Sequence, residues 1–217
     1  MSGFFHGVTV TNVDTGARTI ALPSSSIIGL VETFTPAPAL TAQPNDLMLI
    51  TSEREALAAF GPDAAITKAC QAVFTRAKAV IVACGVAKLE DAAEQTSAII
   101  GGTLADGKRT GLQALLDGKS RFNAQPRLLV TPKHSATQAV ATALVALADK
   151  LRAIAIIDGP NTTDEAVIAY AGEFGAKRAY MVDPGVQHWD NGANATVDAP
   201  ASAWVAGLFA WTDNEYG

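Results

Sequence analysis

Apolar and polar positions change rhythm along this chain, and the changes divide it. His6 to Val13 (HGVTVTNV) alternates with period two, with Val8, Val10 and Val13 as its apolar positions and Phe5 just before it. Such alternation predicts a half-buried strand, and Asp14-Thr15-Gly16 reads as the turn that follows it. Arg18 to Leu22 and Ile27 to Phe34 (IIGLVETF) are two more strand candidates. Thr35 to Pro44 holds three prolines and reads as an extended loop. Leu47 to Thr51 is a short buried strand, after which Ser52 caps a helix that ends near Gly61. These fifty residues therefore read as a β-rich arm ahead of the body.

From there the rhythm alternates between helix and strand. Ala64 to Ala77 is helical, Ala79 to Val86 (AVIVACGV) is a continuous apolar strand, and Glu90 to Ile99 is helical again. Gly101 to Gly111 is a polar, glycine-rich loop followed by a short helix over Leu112 to Leu116. Arg127 to Thr131 is a strand, and Ser135 is expected to cap an Ala-rich helix reaching Leu151. Ala153 to Asp158 is a strand, Thr162 or Thr163 caps a helix to about Phe174, and Arg178 to Asp183 is a strand. A last helix runs from about Ala201 to Trp211. Short apolar strands separated by longer helices are the mark of βαβ units around a parallel sheet. The expected fold is α/β, with its core from about Leu47 to Asp183.

Composition narrows the partners. Hydrophobic residues make up 49% and charged residues 17% of 217, against a globular average of about 25% charged. The chain has ample apolar material for a core, and a surface poor in charge favours burial against neighbours. About a fifth of the residues are Ala, which suits flat, close helix packing. A net charge of -5 argues against nucleic acid as a partner, since phosphate neutralisation needs clustered Lys and Arg. No run of about 18 apolar residues predicts membrane insertion. The N-terminus carries no basic region and apolar h-region of a secretory signal, so synthesis in a cytosol is expected. Cys70 and Cys84 lie in apolar stretches and read as small core residues rather than a disulfide.

Candidate chemistry is sparse. Gly102 to Arg109 matches G-x-x-x-x-G-K but puts Arg109 where a Mg²⁺-binding Ser or Thr belongs, follows a helix instead of a strand, and holds Asp106 inside. It reads as a surface turn. His134 beside Ser135 suggests a hydrolase pair, yet adjacent residues point apart, and no G-x-S-x-G elbow occurs. Asp158 and Asp183 end predicted strands, where open α/β sheets place functional groups, but D-G-P and D-P-G also favour plain turns. His188 and Asp190 are the nearest approach to a metal pair, and Trp189, Trp204 and Trp211 read as core or interface anchors. No catalytic, cofactor or metal residue is assigned.

The ordered blocks along the chain nonetheless resemble one family. They are Phe4 to Pro36 (FFHGVTVTNVDTGARTIALPSSSIIGLVETFTP), Ala79 to Ala83, Gly107 to Leu116 (GKRTGLQALL) and Lys119 to Val130. The match is densest over Lys150 to Pro160 (KLRAIAIIDGP), Tyr180 to Gln187 (YMVDPGVQ) and Gly207 to Gly217 (GLFAWTDNEYG). In these blocks the chain resembles the contractile phage tail sheath proteins, nearest to those of R-type pyocins and related myophages. The resemblance implies a subtilisin-like α/β body over residues 25–217 without protease activity, preceded by an N-terminal arm over residues 1–24. Nothing here resembles the G-T-S-M-A nucleophile region of subtilisins, and His6-Gly7 is not read as their histidine block. Relatives continue into a tube-facing C-terminal domain, so the chain resembles an N-terminal fragment.

The implied function is structural. Sheath subunits polymerise around a tail tube and contract without nucleotide, driving the tube through a cell envelope. Implied partners are other copies of the subunit, the tail tube protein, the baseplate and the tail terminator. The implied location is a virion tail or tailocin particle assembled in the bacterial host cytoplasm. Phe5, Val8, Val10 and Val13 are the expected inter-subunit strand, which would tether neighbours while their faces slide. Two alternatives remain at this level: a non-contractile adaptor subunit, and a small-molecule α/β enzyme using Asp158 or Asp183.

Overall fold

The computed structural model describes residues 26–190 and 194–216. Six strands form one sheet in the order β2-β3-β1-β4-β5-β6. They are β1 (Ile27–Phe34), β2 (Leu47–Ile50), β3 (Val80–Ala87), β4 (Leu128–Val130), β5 (Ile154–Asp158) and β6 (Ala179–Val182). All pairings are parallel except β2 on β3, which closes one edge antiparallel.

Ile27–Phe34 is not part of a preceding arm. It lies between β3 and β4, buried from Ile28 to Phe34, so the α/β core begins there and not at Leu47. A strand buried on both faces reads as an apolar run, and IIGLV has that character, with Glu32 and Thr33 as its two buried polar residues.

Helices cover both faces. On one face lie α1 (Glu53–Phe60), α2 (Ala65–Phe74) and α8 (Ser202–Tyr216). There Phe60, Ile66, Cys70 and Val73 meet Ile28, Leu30, Ile81 and Ile156 of the strands. On the other lie α3 (Ala92–Ile100), α4 (Gly111–Ala114) and α6 (Gln138–Leu151), where Ile99, Leu112, Leu144 and Leu147 meet Val31, Val82, Leu129 and Ile157. Two-sided burial is the reason the strands carry so few polar residues. Ser52 caps α1 as expected, its side chain accepting from the Glu55 N–H, and Thr163 caps α7 (Asp164–Gly172) through the Ala166 N–H.

Three further expectations are corrected. Ser135 does not cap α6. It sits in a 3₁₀ turn (His134–Ala136), and α6 starts at Gln138 after Thr137, with no side-chain cap. The short helix after the glycine loop continues through a 3₁₀ turn into α5 (Gly118–Phe122). An unexpected antiparallel hairpin, β7 (Val186–Asp190) with β8 (Ala195–Ala199), forms a small second sheet.

Candidate functional site

The strand ends where open α/β sheets bind ligands hold a buried polar cluster. Asp158, the last residue of β5, is only 6% exposed. Its Oδ1 accepts from the Ser202 N–H at 2.8 Å, and its Oδ2 accepts from Ser202 Oγ at 2.7 Å. Oδ2 also accepts from the Lys133 N–H at 3.1 Å and Ser135 Oγ at 3.2 Å. Ser135 Oγ in turn accepts from the Asp158 N–H at 2.9 Å, and Tyr170 donates its hydroxyl to the Ser135 carbonyl at 2.7 Å. Burial pushes the Asp158 carboxyl above the usual carboxylate range, and the Ser202, Lys133 and Ser135 donors pull it back only in part.

A hydrolase relay needs the imidazole between the hydroxyl and the acid. Here His134 Nε2 faces Glu32 Oε1 at 3.0 Å, and Ser135 bonds Asp158 directly. Ser135 is fully buried. The cluster fastens the first turn of α8 to the ends of β4 and β5. Asp183 likewise serves a turn, accepting from the Asn161 N–H at 2.9 Å.

The glycine-rich loop is a closed turn whose charges are paired. Thr103 bridges Arg109 antiparallel, and at the loop's base Gly101 and Gly111 both take positive φ. A Cβ at Gly101 would lie 2.0 Å from the Thr110 carbonyl oxygen, so only glycine fits there. Lys108 Nζ bonds Asp46 Oδ1 at 2.7 Å, Arg109 pairs with Asp117, and Asp106 accepts from the Lys108 N–H. Both cations are engaged in ion pairs with carboxylates of neighbouring segments.

His188 and Asp190 do not converge on a common point. Asp190 Oδ2 pairs with Lys68 Nζ at 2.7 Å, while the His188 ring lies 5.6 Å from that of Trp204. Among the described residues, no group of three or more His, Cys, Asp or Glu could hold a metal ion. Likewise, no described helix is long and apolar enough to cross a membrane. Trp204 is half-buried under the hairpin, whereas Trp189 and Trp211 are exposed. Sequence reasoning found none of the Asp158 bonds to Ser135 and Ser202, since no local pattern links residues 23 and 44 positions apart.

Cys70 belongs to the α2 side of the sheet and Cys84 to the α6 side, and both are free. Burial pushes each thiol up to about 12. Both are expected to resist Ellman's reagent in the native protein and to react together on unfolding, which a thiol titration with and without denaturant checks. Rapid native labelling of either would contradict that burial.

Phe5, Val8, Val10 and Val13, together with the whole expected arm over residues 1–24, lie outside the described residues.

The likenesses to known proteins are to tail sheaths. The chain is 67% identical over 214 residues to a putative prophage major tail sheath protein of Pseudomonas aeruginosa (strain UCBPP-PA14), covering 99% of this chain and 55% of the relative. It is 34% identical over 228 residues to the tail sheath protein of Escherichia phage P2, covering all of this chain and 56% of that one. The chain thus spans about half the length of the curated relatives it matches. Its fold is similar to a chain in the anti-feeding prophage baseplate in the contracted state, with a TM-score of 0.66 at 14% identity over all of this chain and 56% of that one. Residues 107–217, which contain β4 to β6, the Asp158 cluster and α8, match the phage tail sheath protein central domain. The chain belongs to the phage tail sheath family.

Proposed function

We propose that this chain supplies the α/β body of a contractile tail sheath subunit, which polymerises around the tail tube and contracts to drive it through a cell envelope. The observation that carries the reading is 67% identity to a major tail sheath protein along 99% of the chain. The buried polar cluster is compatible with it, since it holds α8 and the strand ends together as one body. The proposed partners are other copies of the subunit, the tube protein, the baseplate and the tail terminator, with the particle assembled in the bacterial cytoplasm. Contraction is then a rigid-body rearrangement of bodies about their interfaces. No nucleotide enters this scheme.

The arm reading extends the proposal: Phe5, Val8, Val10 and Val13 add a strand to a neighbouring subunit. Main-chain hydrogen bonds would hold that strand while side-chain contacts change. Negative-stain electron microscopy of the full product of the gene, with tube and baseplate proteins supplied, is expected to show sleeves of uniform width. Isolated particles alone would overturn the sheath reading, and closed rings without helical growth would favour a non-contractile adaptor. Deleting residues 1–13 is expected to leave the melting temperature unchanged and to abolish the sleeves. Normal sleeves from that deletion would remove the arm's role.

A further inference from the structure

The net charge of -5 conceals a separation of charge along the strands. Because β4, β5 and β6 run parallel, the residues that precede them gather at one edge of the sheet. Those residues are Arg127 before β4, Lys150 and Arg152 before β5, and Lys177 and Arg178 before β6. Asp149 lies among them, 3.7 Å from Arg178 Nε, and the end of α8, where Asn214 donates to the Lys78 carbonyl just before β3, brings Asp213 and Glu215 to the same end of the sheet together with Lys78. Arg127 donates to the carbonyls of Leu151 and Arg152, so its charge is not cancelled. Lys150, Arg152 and Lys177 are exposed. Ile154, exposed on the same edge, adds an apolar contact point.

The opposite edge is acidic. Asp164 and Glu165 open α7 beyond β5, Asp183 follows β6, and Asp198 lies on β8 of the adjoining hairpin. Asp164, Glu165 and Asp198 are exposed, as are Lys88 and Lys133, the cations of the strand-end loops after β3 and β4. A five-residue strand separates the two edges by about 17 Å, roughly twice the Debye length at physiological salt. Within one molecule the edges therefore compensate each other weakly. Between two molecules they can approach closely.

We infer that these edges are complementary docking faces for a second copy of this chain, placed head to tail, with the basic edge of one on the acidic edge of the next. Such an interface is heterologous and leaves a free face at each end, so it propagates and does not close as a symmetric dimer does. Opposite charge sets the order and register of the copies and speeds encounter. The inference deepens the proposed function and rests on its claim that copies associate.

Two variants of the 217-residue chain test it. Arg152→Glu with Lys177→Glu removes the positive excess of the basic edge, and Glu165→Lys with Asp198→Lys removes the negative excess of the acidic edge. All four positions are exposed, and unchanged circular dichroism melts would confirm intact folds. In sedimentation velocity at low salt the unaltered chain is expected to associate, and to do so less at high salt. Each variant alone is expected to associate at least about tenfold more weakly, and an equimolar mixture to recover association within a few-fold. Variants that associate as well as the unaltered chain, or a mixture that does not recover, would overturn the edge assignment. So would a low-salt monomer, or a basic edge that retains heparin without self-association. Introduced into the full gene product, sleeves that survive both charge reversals would overturn the edges while keeping the sheath reading. An unaltered gene product that forms no sleeves would remove the sheath reading, whatever the charges do.

Discussion

Replacing Asp158 by alanine is expected to lower the free energy of unfolding by about 3–5 kcal/mol, the largest effect of any single polar substitution in this body. Four donors converge on that carboxylate: the Ser202 N–H and Oγ, the Lys133 N–H and Ser135 Oγ. Ser135 and Ser202 are fully buried, so water cannot replace the lost acceptor. A buried donor left unsatisfied costs about 1–3 kcal/mol, and two or three of them account for the range. Asp158→Asn keeps the shape but turns one acceptor into a donor facing donors, and about 1–3 kcal/mol is expected there. Urea unfolding at neutral pH measures both. A midpoint unchanged in Asp158→Ala would mean that α8 is held by its apolar face alone.

The same residue sets a pH dependence whose sign is opposite to that of a salt-bridged carboxylate. Burial raises the folded value above the usual value of about 3.9. The folded state therefore binds the proton more tightly than the unfolded chain. The stability linked to binding that proton is fully present below the unfolded value and is lost as pH rises through the raised folded value, while the hydrogen bonds from the four donors persist. Asp158→Asn should flatten that part of the stability profile, which a series of unfolding midpoints from acid to neutral pH would record. A profile as steep as that of the unaltered protein would assign the dependence to other groups.

Gly207→Val is expected to destabilise by about 2–4 kcal/mol, because α8 crosses α2 there without room for a side chain. The inner face of α8 is Ala203, Ala206, Gly207 and Ala210, all small and all buried. A Cβ on Gly207 would lie 2.8 Å from the Val73 carbonyl oxygen and 3.1 Å from its Cα. Those atoms are backbone, so relief requires the helices to separate. Alanine at the same position is a closer contest: helix propensity gains up to about 1 kcal/mol, against an overpacking cost of about 1–3 kcal/mol. Gly172 in α7 supplies the control. Nothing lies within 4 Å of a Cβ placed there, and Gly172→Ala is expected to stabilise by about 0.5–1 kcal/mol. Thermal melts of the three variants check the order. A stabilised Gly207→Val would mean that the helices do not meet as closely as described.

The strands β3 and β5 were legible because their apolar runs, AVIVACGV and AIAIID, are long enough to declare themselves. β1 is apolar over IIGLV, but its place beside β3 and β4 depends on residues 50 and 100 positions away. Local pattern therefore assigned it to the preceding β-rich stretch. Ser135 failed as a cap for a related reason. A serine ahead of an Ala-rich run looks like an N-cap, yet its hydroxyl is taken by Asp158, 23 residues later. The hairpin β7–β8 was missed because its half-buried strands mix polar and apolar residues without a continuous run, although Asn191-Gly192 in the sequence is a hairpin-turn signal. Family membership was legible from many short blocks in order, none of which depends on knowing the contacts. The ion pair of Lys108 was not legible, since Asp46 lies 62 residues away.

One flank of the body differs in kind from the rest. α7 buries none of its nine residues, Ile168 on it is 71% exposed, and β6 beside it is the half-buried end of the sheet. Local opening costs little where little apolar surface is covered, whereas β1, β3 and β4 open only with the whole core. The body is thus a stiff plate with one soft margin. Load applied across it would be absorbed first at α7 and β6, leaving the central strands in register. In the sheath proposed above, compliance confined to a rim would let subunits shift while their central strands stay in register.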